Sequence, residues 1–371
     1  MTMTILANDN IDDHARQRGV RRVYLQTVEA LVAHYGPAVL ICSPQHYPQF
    51  AVRQHHLPRP PGKLGQLLDA YLGLHDRRVS LVARRERPAL VYNVYYGTVR
   101  TRAPQVYTVY DMIIERFPAH FARRAPLVSR FIAEKRRCLE HGALLLAISE
   151  TTAQDLRAVY PSIDPAKIVA TPLGVETVFL AEAPPPPPAA RPYFVFAGNR
   201  SGYKNFLALL HAFARSGLAS THDLRVFSPG SASFSAPERA ALQRHGLERT
   251  VHLSVNPSDE AIRTLYAGAV ALVYPSLFEG FGLPVLEAMA SGTLVATSNT
   301  LSLPEVGGDA AWYFDPRSVD AIAGAMVQIA RLTHDERRAA LARGHAQARQ
   351  FTWERFRAQT VAALSACFPR V

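Results

Sequence analysis

"VALVYPSLFEGFGLPVLEAMASG", residues 270–292, opens with an apolar, β-branched run and closes with a helical one. Pro284 stands near the first helical position and Gly292 is placed to stop the helix, so the stretch reads as strand, turn and helix. The turn, Glu279-Gly280-Phe281-Gly282-Leu283, lies at the carboxyl end of the strand. Glycines let a backbone approach a ligand closely, and the start of a helix offers unpaired amides and a positive dipole. Such a turn suits a pyrophosphate. Glu279 then falls where a sugar attached to that pyrophosphate would lie, and Glu287, one turn into the helix, could reach ribose hydroxyls. A glutamate early in a helix also favours the macrodipole, so Glu287 alone has an ordinary explanation.

The same alternation runs outward in both directions. Short strand-like runs follow at "YFVFAG" (193–198), "LRVFS" (224–228), "VHLSV" (251–255) and "TLVAT" (293–297). Others precede, at "TILA" (4–7), "AVLIC" (38–42), "ALVYNVYY" (89–96), "VYTVY" (106–110) and "ALLLAIS" (143–149). Amphipathic stretches separate them, which is the pattern of doubly wound parallel sheets. A chain of 371 residues exceeds one ordinary core and suits two domains of roughly 150–200 residues each. A five-proline tract in "EAPPPPPAARP" (182–192) reads as an extended linker between them, because proline lacks the amide donor and fixes φ. The expected fold is α/β, with an N-terminal Rossmann-like domain over 1–181, the linker over 182–192 and a second Rossmann-like domain over 193–350. In such sheets ligands sit beyond the carboxyl ends of the strands.

Two further turns carry chemistry. In "FAGNRSGYKNF" (196–206), Gly198 and Gly202 frame Arg200, and Lys204 opens the next helix. Two cations at a strand-to-helix turn can neutralise a departing diphosphate without a metal. In "ARQRGVRRVYLQTVEAL" (15–31), Gly19 precedes a helix carrying Arg21 and Arg22; a glycine there could let the loop close over donor phosphates or simply begin an ordinary helix turn. Net charge is +11, and residues 1–180 carry 23 of the 41 Lys and Arg but 15 of the 30 Asp and Glu. That excess directs the first half toward something anionic, although an arginine-rich codon bias gives the same count. The chain has no apolar run long enough for a membrane span and no secretory layout at its start, and its three scattered cysteines form no disulfide or metal framework. A reducing cytoplasm is the expected compartment.

These motifs together resemble a family 4 glycosyltransferase, a retaining enzyme of the GT-B fold, over nearly the whole chain. The paired glutamates of the opening stretch are the most specific part. "FAGNRSGYKN" resembles the family's basic phosphate loop, "LLLAISETT" (144–152) and "PLGVE" (172–176) its first-domain closing segments, and "LPEVGG" (303–308) its last sheet connection. "FTWERF" (351–356) resembles the start of a C-terminal helix, here 351–371, that crosses back to the first domain. The resemblance implies an acceptor-binding first domain and a nucleotide-sugar-binding second domain. It implies Glu279 at the donor sugar's hydroxyls, the turn amides of Gly280, Phe281, Gly282 and Leu283 at sugar and diphosphate, Glu287 at the ribose, and Arg200 and Lys204 at the diphosphate. Gly198 and Gly19 join the donor-binding set. Two departures stand out: Tyr203 occupies the position of the family's usual arginine before the lysine, and Tyr110-Asp111 replaces its usual His-Asp. A phenol would then meet the donor sugar, and no imidazole acid–base role follows.

The implied reaction transfers a hexose with retention, with GDP-mannose as the expected donor and UDP- or dTDP-sugars as alternatives. The acceptor would be a glycan, free or linked to polyprenyl diphosphate, in lipopolysaccharide O-antigen or exopolysaccharide synthesis. No Asp-x-Asp tripeptide occurs, so neither a metal nor a cofactor is expected. The basic run 121–142 could rest on anionic headgroups or be a solvated helix face, and Tyr95 and Tyr96 could stack on an acceptor sugar or end a buried strand. Histidines in "DDHARQR" (12–18) and "QHHLP" (54–58) lack convergent metal-ligand spacing. Nucleobase contacts are expected around "FSPG" (227–230) and "SVNPS" (254–258). A dinucleotide oxidoreductase would need Gly-x-Gly-x-x-Gly, which "FAGNRSGYKN" lacks. A nucleic-acid-binding protein would need a recognition module, and the charge here is diffuse.

Overall fold

The computed structural model describes residues 3–11, 18–60, 69, 72–181, 191–200, 202–229 and 232–369. The "DDHARQ" segment at 12–17 and the proline tract at 182–190 lie outside those residues. The chain divides into two compact units, Met1–Leu173 with Trp353–Val371, and Gly174–Thr352.

The first unit is built on strands β1 (Ile5–Asn8), β2 (Val39–Ser43), β3 (Arg53–His56), β4 (Leu90–Asn93), β5 (Gln105–Val109), β6 (Leu144–Ala147) and β7 (Ile168–Ala170). They form one parallel sheet in the order β3-β2-β1-β4-β5-β6-β7. The second unit's β8 (Tyr193–Ala197), β9 (Asp223–Ser228), β10 (Val251–Val255), β11 (Ala271–Tyr274), β12 (Leu294–Ser298) and β13 (Trp312–Phe314) form another, in the order β10-β9-β8-β11-β12-β13. Its pairings are parallel too. The inner strands of both sheets are buried on both faces, as helices covering both sides of a parallel sheet require, while the edge strands β3 and β10 carry polar and exposed residues. Each sheet reverses its winding beside its first strand, between β1 and β4 in one and β8 and β11 in the other. A crevice opens beyond the strand ends at such a reversal.

The cores follow from this layering. In the second unit Phe194 and Phe196 of β8 pack with Phe206, Leu210 and Phe213 of the helix Phe206–Arg215. In the first, Leu6 and Val91 meet Val79 of the helix Leu74–Glu86. The chain's last helix, Trp353–Cys367, belongs to the first unit, where it packs on the helix Arg18–Tyr35. Arg357 secures it through Gln26 and through Glu29 at 3.3 Å.

Two boundaries differ from expectation. The first unit ends at Leu173 instead of 181, because Gly174–Ala181 packs with the second unit. There the short helix Thr177–Leu180 buries Phe179 against Tyr266, with ring centroids 6.4 Å apart, and Arg263 donates to the Val178 carbonyl at 3.4 Å. Arg191, expected in the linker, is instead anchored to Asp223 at 3.0 Å beside the start of β9. Where the chain enters and leaves the second unit, Val175 donates its amide to the Phe351 carbonyl at 3.1 Å.

At the reversal of the first sheet, Asn8 and Asn93 face each other in register and join side chains at 2.9 Å. Asp76 accepts from Asn8 Nδ2 at 3.4 Å and from the Thr98 amide at 3.1 Å. A Cβ at Gly97 would lie 2.3 Å from Asp76 Oδ2, so only glycine permits this approach. Burial lifts the Asp76 carboxyl from 3.8 to about 7; Glu134 adds to the rise, while the Asn8 and Thr98 hydrogen bonds oppose it. The folded chain thus holds this proton more tightly than the unfolded chain. The site's contribution to stability is full below 3.8 and declines as pH rises to about 7. Urea denaturation should therefore show Asp76→Asn gaining stability relative to the natural chain as pH rises through that window. A constant difference between the two would refute the assignment.

Candidate donor site of the second unit

The loops after β8 and β11 flank the reversal of the second sheet, and each delivers one member of a charged pair. After β8, Gly202 (φ +63°) and Asn205 (φ +59°) turn the chain tightly around Lys204. After β11, Pro275 to Gly282 lead into the helix Leu283–Ala290. Gly282, at φ +110°, caps that helix, and Pro284 sits in its first turn. A Cβ at Gly282 would stand 2.8 Å from Leu303 Cδ2, so both backbone and space demand glycine there. Gly198, at φ +119°, is required by its backbone alone, since a Cβ there meets open space.

Lys204 Nζ donates to Glu279 Oε1 at 2.6 Å and to the Tyr274 hydroxyl at 2.9 Å. It also lies 5.3 Å from the Tyr274 ring centroid and 5.4 Å from that of Tyr203. Both charged side chains are largely enclosed, 14% and 10% exposed, so the pair is a partly desolvated one. Burial, with the Glu279 carboxylate alongside, pushes the Tyr274 phenol well above its ordinary range. Tyr274 therefore remains a neutral hydroxyl. Two contacts bind the two loops together, and a third ties them to the loop after β13. The Leu277 amide donates to the Tyr203 carbonyl at 2.7 Å, and Asn205 Nδ2 donates to the carbonyls of Pro275 at 3.2 Å and Pro316 at 2.7 Å. Ser302 Oγ holds the Glu279 carbonyl at 3.0 Å.

Glu287 is buried in the second turn of the helix Leu283–Ala290. The Phe281 ring is buried edge-on against Phe351, with centroids 5.8 Å apart, which leaves its backbone as the part able to meet a ligand. Gly280 and Leu283 complete the turn at the helix start.

Arg200 does not join Lys204. Its Nε donates to Glu238 Oε1 at 3.3 Å, its Nη2 to the Ser233 carbonyl at 2.8 Å, and its guanidinium lies 5.4 Å from the Phe234 ring centroid. The cause is Glu238, the third residue of the helix Ala236–His245. It is buried and fixed by a capping box, accepting from the Ser235 amide at 2.6 Å, and so presents a desolvated carboxylate to the nearest cation. The two cations expected at the diphosphate thus have different carboxylate partners, Glu238 for Arg200 and Glu279 for Lys204.

The remaining expected residues lie in the first unit. Gly19 falls in the first turn of the helix Arg18–Tyr35, where it had been expected to precede it. Tyr110 is buried directly after β5, its ring 5.8 Å from that of Tyr95, and burial raises its phenol. The Asp111 carboxylate accepts from the Ile113 amide at 3.0 Å, and its carbonyl accepts from the buried Lys135 at 2.6 Å. Lys135 also pairs with Glu115 at 3.0 Å, so this member of the basic 121–142 run serves the interior. Tyr96 is buried and Tyr95 half-buried.

Sequence reasoning passed over Tyr274, Asn205, Ser302 and Glu238. Asn205 follows Lys204 directly, and Glu238 lies three residues after Ser235, a capping-box spacing. Tyr274 and Ser302 carry no local signal. The pair itself is testable. Lys204→Met strands a buried carboxylate and should destabilise the chain by about 3–5 kcal/mol in urea denaturation, whereas Lys204→Met with Glu279→Gln should recover most of the loss. Equal losses in the single and double variants would show that the two side chains do not interact.

Comparison with known proteins follows the same division. Residues 17–179 match the family described as Glycosyltransferase Family 4, and residues 181–347 that described as Glycosyl transferases group 1. The chain is 30% identical over 310 residues to O-antigen chain mannosyltransferase B of Escherichia coli, covering 80% of this chain and 79% of that one. It is 31% identical over 261 residues to the MMP alpha-(1->4)-mannosyltransferase of Mycolicibacterium hassiacum, covering 67% and 61%. Sucrose-phosphate synthase from Thermosynechococcus elongatus superposes with a TM-score of 0.79 at 18% identity, over 99% of this chain and 100% of that one. WaaG, a glycosyltransferase involved in lipopolysaccharide biosynthesis, superposes with a TM-score of 0.71 at 15% identity, over 98% and 99%. Those two likenesses concern the fold alone. With its two Rossmann-like units in the GT-B arrangement of strands, the chain belongs to glycosyltransferase family 4.

Proposed function

We propose that this glycosyltransferase moves a mannosyl residue from GDP-mannose to a glycan acceptor, with retention and without a metal. The observation that carries this reading is the Lys204–Glu279 pair, held with Tyr274 at the reversal of the second sheet and beside the start of the helix Leu283–Ala290. The names of the relatives supply the sugar. Relatives include O-antigen chain and serotype-specific mannosyltransferases of Escherichia coli, so assembly of a lipopolysaccharide O-antigen is the proposed setting.

The chemistry follows from the charges. The bond between the anomeric carbon and the diphosphate oxygen breaks while the acceptor oxygen bonds to the same face of that carbon. The acceptor's hydroxyl proton passes to the departing phosphate oxygen. Lys204 and the helix start take up the charge that develops on the diphosphate, and such fixed electrostatic stabilisation is usually a major catalytic contribution. The transition state has oxocarbenium character, which a nearby carboxylate stabilises. Glu279 fits the task of holding sugar hydroxyls better than that of a nucleophile, because the Lys204 ammonium at 2.6 Å lowers its electron-donating power. Glu287 is assigned to the ribose. Gly19, Tyr110 and Asp111 are assigned to the donor from the first unit, which is proposed to bind the acceptor.

Among the described residues no helix is long and apolar enough to cross a membrane. An acceptor carried on polyprenyl diphosphate would bring the enzyme to the cytoplasmic face of a membrane. The helix Ala125–His141 exposes Arg130, Arg136 and Arg137 for contact with anionic headgroups.

A thermal-shift panel of GDP-, UDP- and dTDP-sugars should show stabilisation by GDP-mannose, diminished in Glu287→Ala. Absence of any nucleotide-dependent shift would overturn the reading. Glu279→Gln and Lys204→Ala should each lower kcat by about 10²–10³-fold, on the scale of other preorganised charge-stabilising groups. Activity should persist in a chelator, and intact-mass measurement during turnover should find no glycosyl adduct on Glu279. A trapped adduct would replace the same-face mechanism with a double displacement.

A further inference from the structure

A hollow of about 400 Å³ opens in the second unit beyond the carboxyl ends of β8 and β9, lined by Asn199, Arg200, Ser228, Phe234, Glu238 and Arg239 among others. One short loop joins it to Lys204: residues 200 and 204 can stand at most about 14 Å apart along an extended chain. A nucleotide whose diphosphate meets Lys204 could therefore place its nucleoside here.

The walls of the hollow have an uneven hydrogen-bonding character. Its one carboxylate, Glu238, is already engaged by the Ser235 amide at 2.6 Å and Arg200 Nε at 3.3 Å. Arg200 contributes five N–H donors, and its contacts with Glu238 and Ser233 use Nε–H and one Nη2–H, which leaves both Nη1–H donors and the second Nη2–H as a fork for a ligand. Arg239, at the rim, points its Nη1 to the Phe234 carbonyl and keeps its remaining donors exposed. Among the charged side chains of the lining the two arginines keep donors to spare while the carboxylate is engaged, so the complementary base edge is one rich in acceptors. Guanine places N7 and O6, both acceptors, side by side on its imidazole edge, the edge a guanidinium fork matches. Adenine interrupts that edge with an amino group, and a pyrimidine has no N7.

We propose that Arg200, held in place by Glu238, is the base-selecting residue of this enzyme, reading guanine through N7 and O6. The assignment rests on the nucleotide-sugar reading above. It gives Arg200 a function in recognition, separate from the leaving-group chemistry of Lys204.

Calorimetric titration of the full chain with GDP, IDP, 7-deaza-GDP and UDP tests it. IDP retains N7 and O6 and lacks only the 2-amino group, so it should bind like GDP. 7-Deaza-GDP and UDP should bind at least about tenfold more weakly, the scale of one lost arginine–guanine contact. Arg200→Lys keeps a cation for Glu238 but loses the planar fork, so it should fold normally and bring GDP and 7-deaza-GDP to similar affinities. Equal binding of GDP and 7-deaza-GDP by the natural chain would overturn the proposal, as would selective loss of IDP. Preference for UDP would overturn the base assignment while leaving the nucleotide-sugar reading intact. Failure of every nucleotide to bind would remove both.

Discussion

Burying an ammonium and a carboxylate together costs desolvation energy that their mutual attraction recovers only when the geometry is tight and the remaining hydrogen bonds are met. Lys204 and Glu279 meet those conditions at 2.6 Å, with the Tyr274 hydroxyl taking a second proton of the ammonium. The geometry is not local to either residue. It depends on Asn205 bridging to Pro275 and Pro316, on the Tyr203–Leu277 backbone bond, and on Ser302 behind the Glu279 carbonyl. These contacts draw on the loops that follow β8, β11, β12 and β13. The pair is therefore a property of the whole carboxyl edge of the sheet, and the order of the strands is what makes it possible.

That dependence explains why the two units, alike in topology, differ in chemistry. Each sheet reverses beside its first strand, so each has a crevice in the same relative place. In the first unit the crevice is filled by amides and a carboxyl. Asn8 and Asn93 are joined, and Asp76 has a carboxyl that burial raises to about 7. In the second it presents a fixed cation and a helix start. The latter is the proposed seat of the diphosphate. The former, largely satisfied within itself, gives a rigid floor and no comparable attraction for an anion.

Much of this was legible in the sequence. The strand runs, the glycine-rich turn, Pro284 at the helix start and the paired glutamates all act over short distances along the chain, where periodicity and turn chemistry leave a clear record. The errors arose where long-range packing decides. Nothing near Phe179 reveals that Tyr266 will bury it and carry residues 174–181 into the second unit. The proline tract marked a break in regular structure, but the contact boundary falls earlier, at Leu173. Tyr274 reads as one more strand residue, and only its alignment with Lys204 across neighbouring strands makes it part of a site. The pairing of Arg200 with Glu238 left no local signal for the same reason. The glutamate is 38 residues away, held by a helix cap whose significance appears only once that helix packs beside the loop.

The separation of Arg200 from Lys204 has a simple electrostatic logic. Two cations four residues apart in one loop would repel each other if both turned toward the same crevice, and that cost would be felt most in the free protein. Giving each its own buried carboxylate removes the repulsion and fixes two directions of approach. Glu279 is followed by Gly280 and Gly282 in the turn before the helix Leu283–Ala290, so a ligand anion can reach Lys204 there. Glu238 is locked into its own helix start by the Ser235 amide, so Arg200 is held as a rigid donor and not as a mobile counter-ion. One loop thus presents two kinds of positive charge, one suited to changing charge on a reacting group and one suited to reading a fixed pattern of acceptors.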